Sequence, residues 1–261
     1  MLKDELAVAL IQTDLYWEDV TANLSSLEEK IASLEKAADI IVLPEMFNTG
    51  FTMNHQVAEP QNLVTTRWMK QVAAQSDALV IGSFAVKEHN KYYNRLFYVF
   101  PDGSLLHSDK RHLFRMGEEH AFYTPGESRK LVEWRGWKIC GLVCYDLRFP
   151  VWSRNRQTDP YDLLIYVANW PAKRANAWKT LLKARAIENQ TYVIGVNRVG
   201  TDGNGITYLG DSVVNDFLGE PLCVTENREE EIIVSLSNAN LRNYRNDFPA
   251  YLDADLFNIN C

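Results

Sequence analysis

The sequence predicts an α/β chain, with α+β character in its hairpins, folded as a four-layer α-β-β-α sandwich of two mixed sheets. Three observations lead there. Apolar strands alternate with amphipathic helices as far as Phe84. Hairpin signals then break that rhythm and make much of the strand pairing antiparallel. Helices cover one face of such sheets, so the other face must be buried too, and packing two sheets together satisfies both.

Leu6–Gln12 is a short apolar run and reads as the first strand. Asp19 offers an N-cap, and Val20, Leu24, Leu27, Ile31 and Leu34 recur at spacings of four and three, one apolar helical face. Asp39–Leu43 is a β-branched run ended by Pro44, which cannot continue a central strand. A second helix over Leu63–Gln75 and a strand over Ala78–Phe84 follow. Tyr92–Phe100 and Ser104–Asp109 flank the turn Pro101-Asp102-Gly103, and Leu131–Trp134 and Trp137–Val143 flank Arg135-Gly136. Asp162–Ala168 is a strand, Ala175–Gln190 a long helix and Thr191–Arg198 a strand. Asp211–Asn215, Glu220–Val224 and Glu231–Leu236 read as a closing meander before a short helix and a tail.

The length of 261 residues suits one large domain or two small ones and does not choose between them. A net charge of -7 lacks the basic footprint that general nucleic-acid binding needs. No run of about 18 apolar residues suggests a membrane helix. Asp4 and Glu5 directly after Lys3 lack a secretory-signal profile, so the cytoplasm is the expected location. Cys140, Cys144, Cys223 and Cys261 form no disulfide framework, since four residues of strand hold Cys140 and Cys144 about 13 Å apart. Neither they nor the five histidines show metal-ligand spacing, so no metal and no cofactor are expected.

Three segments carry chemistry. Glu45, in Leu43-Pro44-Glu45-Met46-Phe47, follows the carboxyl end of an apolar strand, where desolvation raises a carboxyl group toward the range of a useful base. Lys110, in Asp109-Lys110-Arg111-His112-Leu113-Phe114, follows another strand and offers a fixed positive charge. Cys144 ends Ile139–Val143 and precedes a helix start, whose dipole is expected to lower the thiol pKa. The same turn aims the Tyr145 backbone N–H at an attacked carbonyl. Each segment alone has a plainer explanation: a loop acid, a solvated basic turn, a small buried hydrophobe. Cys140, in mid-strand, fits that last description. The conjunction of acid, amine and thiol, each at a strand mouth, is the observation that points to catalysis.

The strings Leu-Pro-Glu at 43–45, Asp-Lys-Arg-His-Leu-Phe at 109–114 and Cys-Tyr-Asp-Leu-Arg-Phe-Pro at 144–150 resemble the Glu-Lys-Cys signature of the nitrilase superfamily. Tyr93-Asn94, Asn169-Trp170-Pro171, the segment from Lys183 to Gln190 and Asn197-Arg198 also match, so the resemblance covers nearly the whole chain as one carbon–nitrogen hydrolase domain, 1–261. Within the superfamily, Lys-Arg-His-Leu-Phe-Arg and the short tail look most like the ω-amidases. The resemblance implies the nitrilase-like sandwich, a homodimer that extends it, and a second glutamate before a Pro-Gly. Glu119 matches that position ahead of Pro125-Gly126, with Glu118 adjacent.

The implied reaction is hydrolysis of a small carboxylate-bearing amide, such as 2-oxoglutaramate, through a thioester on Cys144. Glu45 is the base, and Lys110 with the Tyr145 N–H forms the oxyanion site. Phe114 and Trp170 are expected to line the pocket. Arg148, Arg174, Arg115 and Lys173 are candidates to grip the substrate carboxylate. Asp146 and Arg148 are expected to pair with each other or with Arg185 and Glu188, and His112 to make a local structural hydrogen bond. The alternatives are another Glu-Lys-Cys hydrolase (nitrilase, N-carbamoyl amidase, aliphatic amidase), a cysteine hydrolase with a histidine base, or a catalytically silent interaction module.

Overall fold

Alternation along the first strand sets the layering. In β1 (Glu5–Gln12), Leu6, Val8 and Leu10 pack to one side and Ala9 and Ile11 to the other, and all are buried. A strand apolar on both faces needs a layer against each. The computed structural model describes residues 3–259, and Cys261 lies outside that range.

β2 (Ile40–Val42) and β3 (Leu79–Glu88) join β1 in parallel, and β4 (Lys91–Val99) and β5 (Leu105–Asp109) add antiparallel strands. The outer face of this sheet carries α1 (Val20–Ala32) and α2 (Val64–Ser76). The Asp19 carboxylate caps α1 by accepting from the Ala22 N–H at 2.9 Å, and Leu34 lies past the helix end. β3 runs four residues beyond the expected Phe84 and turns at His89-Asn90, both with positive φ (46° and 61°). Their polar neighbours Lys87 and Glu88 masked the strand end, where the strand runs out of the core and Lys87 is exposed and Glu88 half-buried.

The second sheet contains β6 (Leu131–Trp134), β7 (Trp137–Val143), β8 (Leu163–Ala168), β9 (Tyr192–Asn197), β10 (Val213–Asn215) and β11 (Pro221–Val224), in the order β11-β10-β9-β8-β7-β6. Its outer face is covered by α3 (Ala175–Asn189), whose Trp178 and Leu182 press on β9 at Gly195. A Cβ there would lie 2.5 Å from Leu182 and 2.7 Å from Trp178, so the close approach requires glycine. The inner faces meet where Leu96 and Tyr98 of β4 press on Gly141 of β7, and a Cβ there would lie 2.6 Å from each. Across that interface the Tyr98 hydroxyl accepts from the Gly141 N–H at 2.7 Å and lies 3.3 Å from the Gly141 oxygen. The four layers are those expected from the sequence.

The closing meander is a correction. β12 (Glu230–Ser237) leaves the second sheet and pairs antiparallel with β1 over all eight residues. Beside β1 it covers a row of backbone groups that would otherwise form an open edge. Ser237 then caps the expected short helix, α4 (Asn238–Asp247). No helix of the described residues is long and apolar enough to cross a membrane.

Candidate active site

The three residues singled out from the sequence converge where the two sheets meet. Glu45 follows β2, Lys110 directly follows β5, and Cys144 directly follows β7. Met46 and Cys144 both hold φ of +43°, left-handed backbone that costs of order 1–3 kcal/mol in a non-glycine residue. These sharp turns swing the side chains from the strand ends into a shared space.

There the Lys110 ammonium donates to Glu45 Oε1 at 2.8 Å and lies 3.0 and 2.9 Å from the two carboxylate oxygens of Glu119. All three side chains are essentially without solvent contact. Glu119 opens a four-residue helix, and its Oε2 also accepts the Phe114 N–H at 2.6 Å. Glu118 points outward and is exposed, so Glu119 is the second glutamate of the cluster. Gly126 anchors this segment: its N–H donates to the Lys110 oxygen at 2.9 Å, and a Cβ on it would fall 2.2 Å from the Asp109 oxygen. Asn169, just past β8, clamps Glu45 from the second sheet. Its N–H donates to Glu45 Oε2 at 2.8 Å, and its side-chain nitrogen donates to the Glu45 main-chain oxygen at 2.6 Å. The Cys144 Sγ lies 3.9 Å from the Asn169 oxygen.

Burial sets the electrostatics of the cluster. Desolvation acts against the Lys110 ammonium, but the Glu119 and Glu45 carboxylates outweigh it and hold its pKa above the ordinary value. Burial, with Glu45 adding to it, raises Glu119 against the opposing pull of Lys110. Burial first, and then the Glu45 charge, pushes the Cys144 thiol well above its ordinary range. The expected lowering by a helix dipole does not occur. After β7 the chain makes a single 3-10 turn, Cys144–Arg148, and the dipole of that turn is too short to offset desolvation beside a carboxylate. Cys140 is an inert core thiol, raised by burial to about 12. Cys140, Cys144 and Cys223 are free.

Above Cys144 opens a cavity of about 120 Å³, room for a small molecule. Phe114, Tyr145, Arg148, Trp170 and Arg174 all line it. Arg148 lies 5.0 Å over the Trp170 ring and Arg174 lies 5.5 Å over the Phe114 ring. Neither has an acidic partner among the described residues, and Arg174 also lies 2.8 Å from the Met116 sulfur. Arg115 and Lys173 are exposed and do not line the cavity. Asp146 does not pair with Arg148. Its carboxylate accepts instead from the His112 and Val143 main chain, because it points inward beneath the turn while Arg148 points outward. Nor do Asp146 and Arg148 pair with Arg185 and Glu188, which pair with each other at 3.0 Å.

Sequence reasoning missed Asn94 and Asn169 as members of the cluster. Both lie in segments singled out by the resemblance, which was the available signal. It also missed the wall formed by Asp202, Asn204, Ile206 and Tyr208 in the hairpin of Val199–Thr201 with Thr207–Leu209. Asp202 accepts there from the Asn204 and Ile206 N–H groups and the Tyr208 hydroxyl, which ties the loop shut. Among the described residues no group of three or more His, Cys, Asp or Glu side chains is placed to hold a metal ion.

Comparison with known proteins gives three findings. The family model described as carbon-nitrogen hydrolase matches residues 7–246. The omega-amidase YafV of Yersinia enterocolitica is 50% identical over 254 residues, covering 97% of this chain and 98% of that protein, and the 2-oxoglutaramate amidase of Bacillus subtilis (strain 168) is 33% identical over 230 residues, covering 87% and 88%. Among solved structures, XC1258 from Xanthomonas campestris, a CN-hydrolase superfamily protein with an arsenic adduct in its active site, superposes with a TM-score of 0.97 at 43% identity over 99% of this chain and 100% of that one.

Proposed function

The chain belongs to the carbon-nitrogen hydrolase family, within the nitrilase superfamily, and we propose that it hydrolyses a small 2-oxo acid amide, such as 2-oxoglutaramate, to the acid and ammonia. The observation that carries this reading is a thiol, an acid and an ammonium gathered beneath a cavity rimmed by two arginines that lack acidic partners among the described residues. Similarity to proteins named omega-amidase and 2-oxoglutaramate amidase supports it.

As substrate enters, Glu45 takes the Cys144 proton and the sulfur attacks the amide carbon. The oxyanion is held by the Lys110 ammonium and the Tyr145 backbone N–H, each donor worth about 3–4 kcal/mol. The Tyr145 N–H belongs to the first residues of the turn, which have no acceptor earlier in the same turn. Protonated Glu45 hands its proton to the departing ammonia and leaves a thioester. Glu45 then deprotonates a water that attacks the thioester carbon, and the proton returns to the Cys144 sulfur as the acid departs. Glu119 holds Lys110 in line. These side chains and water suffice, and no cofactor takes part. Arg148 and Arg174 grip the substrate carboxylate, Phe114 and Trp170 form the walls between them, and residues 1–261 act as one domain.

The cytoplasm suits the free thiols, and a homodimer extending the sandwich suits the family. Cell fractionation and light scattering test these two points. The activity is tested by ammonia release from 2-oxoglutaramate, glutamine, an aliphatic amide, a nitrile and a carbamoyl amino acid. The expected order of kcat/KM puts the 2-oxo acid amide first, and a higher value for the nitrile or the carbamoyl compound rejects the substrate class. Undiminished ammonia release by Cys144→Ala removes the thiol from the mechanism.

A further inference from the structure

Asn94, on β4 opposite Ala85 of β3, has no role in the catalytic cycle proposed for Glu45, Lys110 and Cys144, yet it touches the groups that run it. Its side-chain nitrogen donates to Glu45 Oε1 at 2.8 Å and to Glu119 Oε1 at 3.2 Å. Its main-chain oxygen accepts the Lys110 N–H at 2.9 Å. The residue is fully buried, and the amide oxygen has no hydrogen-bond partner among the described residues. The amide orientation is dictated by chemistry, because the reverse would set an oxygen against two carboxylates. A buried acceptor without a partner is unfavourable, so an apolar residue would serve mere packing better. The position is occupied for its two donor hydrogens.

We infer that Asn94 is a positioning residue that bridges Glu45 and Glu119, holds them on either side of the Lys110 ammonium, and keeps Glu45 free of a proton so that it can accept one from Cys144. This rests on the assignment of Glu45 as the base. Two carboxylates and one ammonium leave the buried cluster one negative charge in excess. Lys110 has only three hydrogens and already serves both acids. The Asn169 and Phe114 N–H groups serve the two Oε2 atoms. With Asn94 gone the two Oε1 atoms share Lys110 alone, and the cheapest relief is a proton shared between them, which disables the base. Asn94 supplies two hydrogen bonds to the charged forms without adding a charge. The titratable groups facing the pair are Lys110 from the turn after β5, Cys144 from the turn after β7, and the phenols of Tyr123 and Tyr208. Glu18 faces the Tyr123 phenol in turn, and Asp202 and Arg198 face that of Tyr208. None of them replaces a lost donor between the two Oε1 atoms.

The experiment is the pH dependence of kcat/KM between pH 5 and 10, with the amide substrate that the wild type turns over best, for wild type, Asn94→Asp, Asn94→Ser and Glu45→Gln. Thermal melts establish folding. Asn94→Asp, of equal size, is expected to lose about 10²-fold at pH 7. Its acid limb should move upward by about one pH unit or more, so that activity recovers partly at high pH. Asn94→Ser, which keeps one donor, should fall between. In Asn94→Ser, which adds no charge beside Glu45, a role in packing alone would lower the whole profile without moving its limb, whereas the new carboxylate of Asn94→Asp repels Glu45 in any case. An unmoved limb in folded Asn94→Ser, at full or reduced activity, therefore overturns the inference, and Asn94→Ser decides alone if Asn94→Asp fails to fold. Glu45→Gln separates the two failures. Its inactivity together with that unmoved limb rejects only the role of Asn94, whereas wild-type turnover by Glu45→Gln rejects the base assignment itself.

Discussion

His112 and Asp146 are joined twice: the His112 main-chain N–H donates to Asp146 Oδ1 at 2.9 Å, and the imidazole Nδ1 lies 2.8 Å from the same oxygen. The other Asp146 oxygen accepts the Val143 N–H at 3.1 Å. One buried carboxylate thus ties the turn that bears Cys144 to the turn that bears Lys110.

Asp146→Ala should therefore loosen both turns at once. Two main-chain donors and an imidazole would lose their acceptor, a destabilisation of about 2–4 kcal/mol. The melting temperature should fall by about 5–15 °C, with kcat reduced as well. A melt within about 2 °C of wild type would show that the link bears no strain.

Burial holds the Cys144 thiol well above its ordinary range, so under the proposed mechanism its reactivity depends on Glu45 accepting the proton during attack. Alkylation of Cys144 by iodoacetamide at pH 7.5 should be about 10²–10⁴-fold slower in Glu45→Gln. Raising the pH to 10 should recover much of the difference, since free thiolate then forms without a base. Mass spectrometry of the labelled peptide gives the rates. Equal rates at pH 7.5 would mean that Glu45 takes no proton from sulfur.

Arg148→Ala and Arg174→Ala should act on KM more than on kcat. Losing one charge-assisted contact is worth about 1.5–3 kcal/mol, or about 10- to 150-fold in kcat/KM. The loss should be confined to amides that carry a carboxylate, with a neutral amide of similar length little affected. If neither variant discriminates between the two, the carboxylate is bound elsewhere.

Lys110→Met removes the counter-charge of two buried acids. The sign of the pH effect comes from linkage. In the wild type the Lys110 pKa is raised above 10.5, so its contribution is complete below that pH and is lost as pH rises through the folded value. In the variant the two carboxylates are left facing one another and bind a proton more tightly folded than unfolded. Its stability should fall as pH rises above the ordinary glutamate value of 4.5. Urea unfolding should show a gap from wild type of about 3–5 kcal/mol at pH 8 and a smaller one at pH 5. A gap that narrows toward pH 8 would contradict the ion-pair account.

Much of this was legible in the sequence because the chemistry lies at strand ends, which hydrophobic patterning locates well. Glu45 and Cys144 each follow an apolar run, and Lys110 follows the strand that the Pro101-Asp102-Gly103 turn sets off. Asn94 and Asn169 were harder. An amide in or just after a strand has no local signature, and their partners Glu45 and Glu119 are distant in sequence. The direction of the Cys144 shift was missed because a sequence displays the turn but not the depth of burial. The β1–β12 pairing was missed because strand order is fixed by which edge stands open, a tertiary property.

Glu45 and Lys110 hang from one sheet, Cys144 and Asn169 from the other. The proposed proton donor, Cys144, and its proposed acceptor, Glu45, therefore sit on opposite jaws of a vice, with the Tyr98–Gly141 contact serving as one of its dowels. A displacement of about 1 Å in such a geometry slows chemistry about 10²-fold. Turnover is accordingly a more sensitive gauge of how squarely the jaws close than any melting curve. Substitutions deep between them, far from any ligand, can silence the enzyme while leaving its outer helices undisturbed.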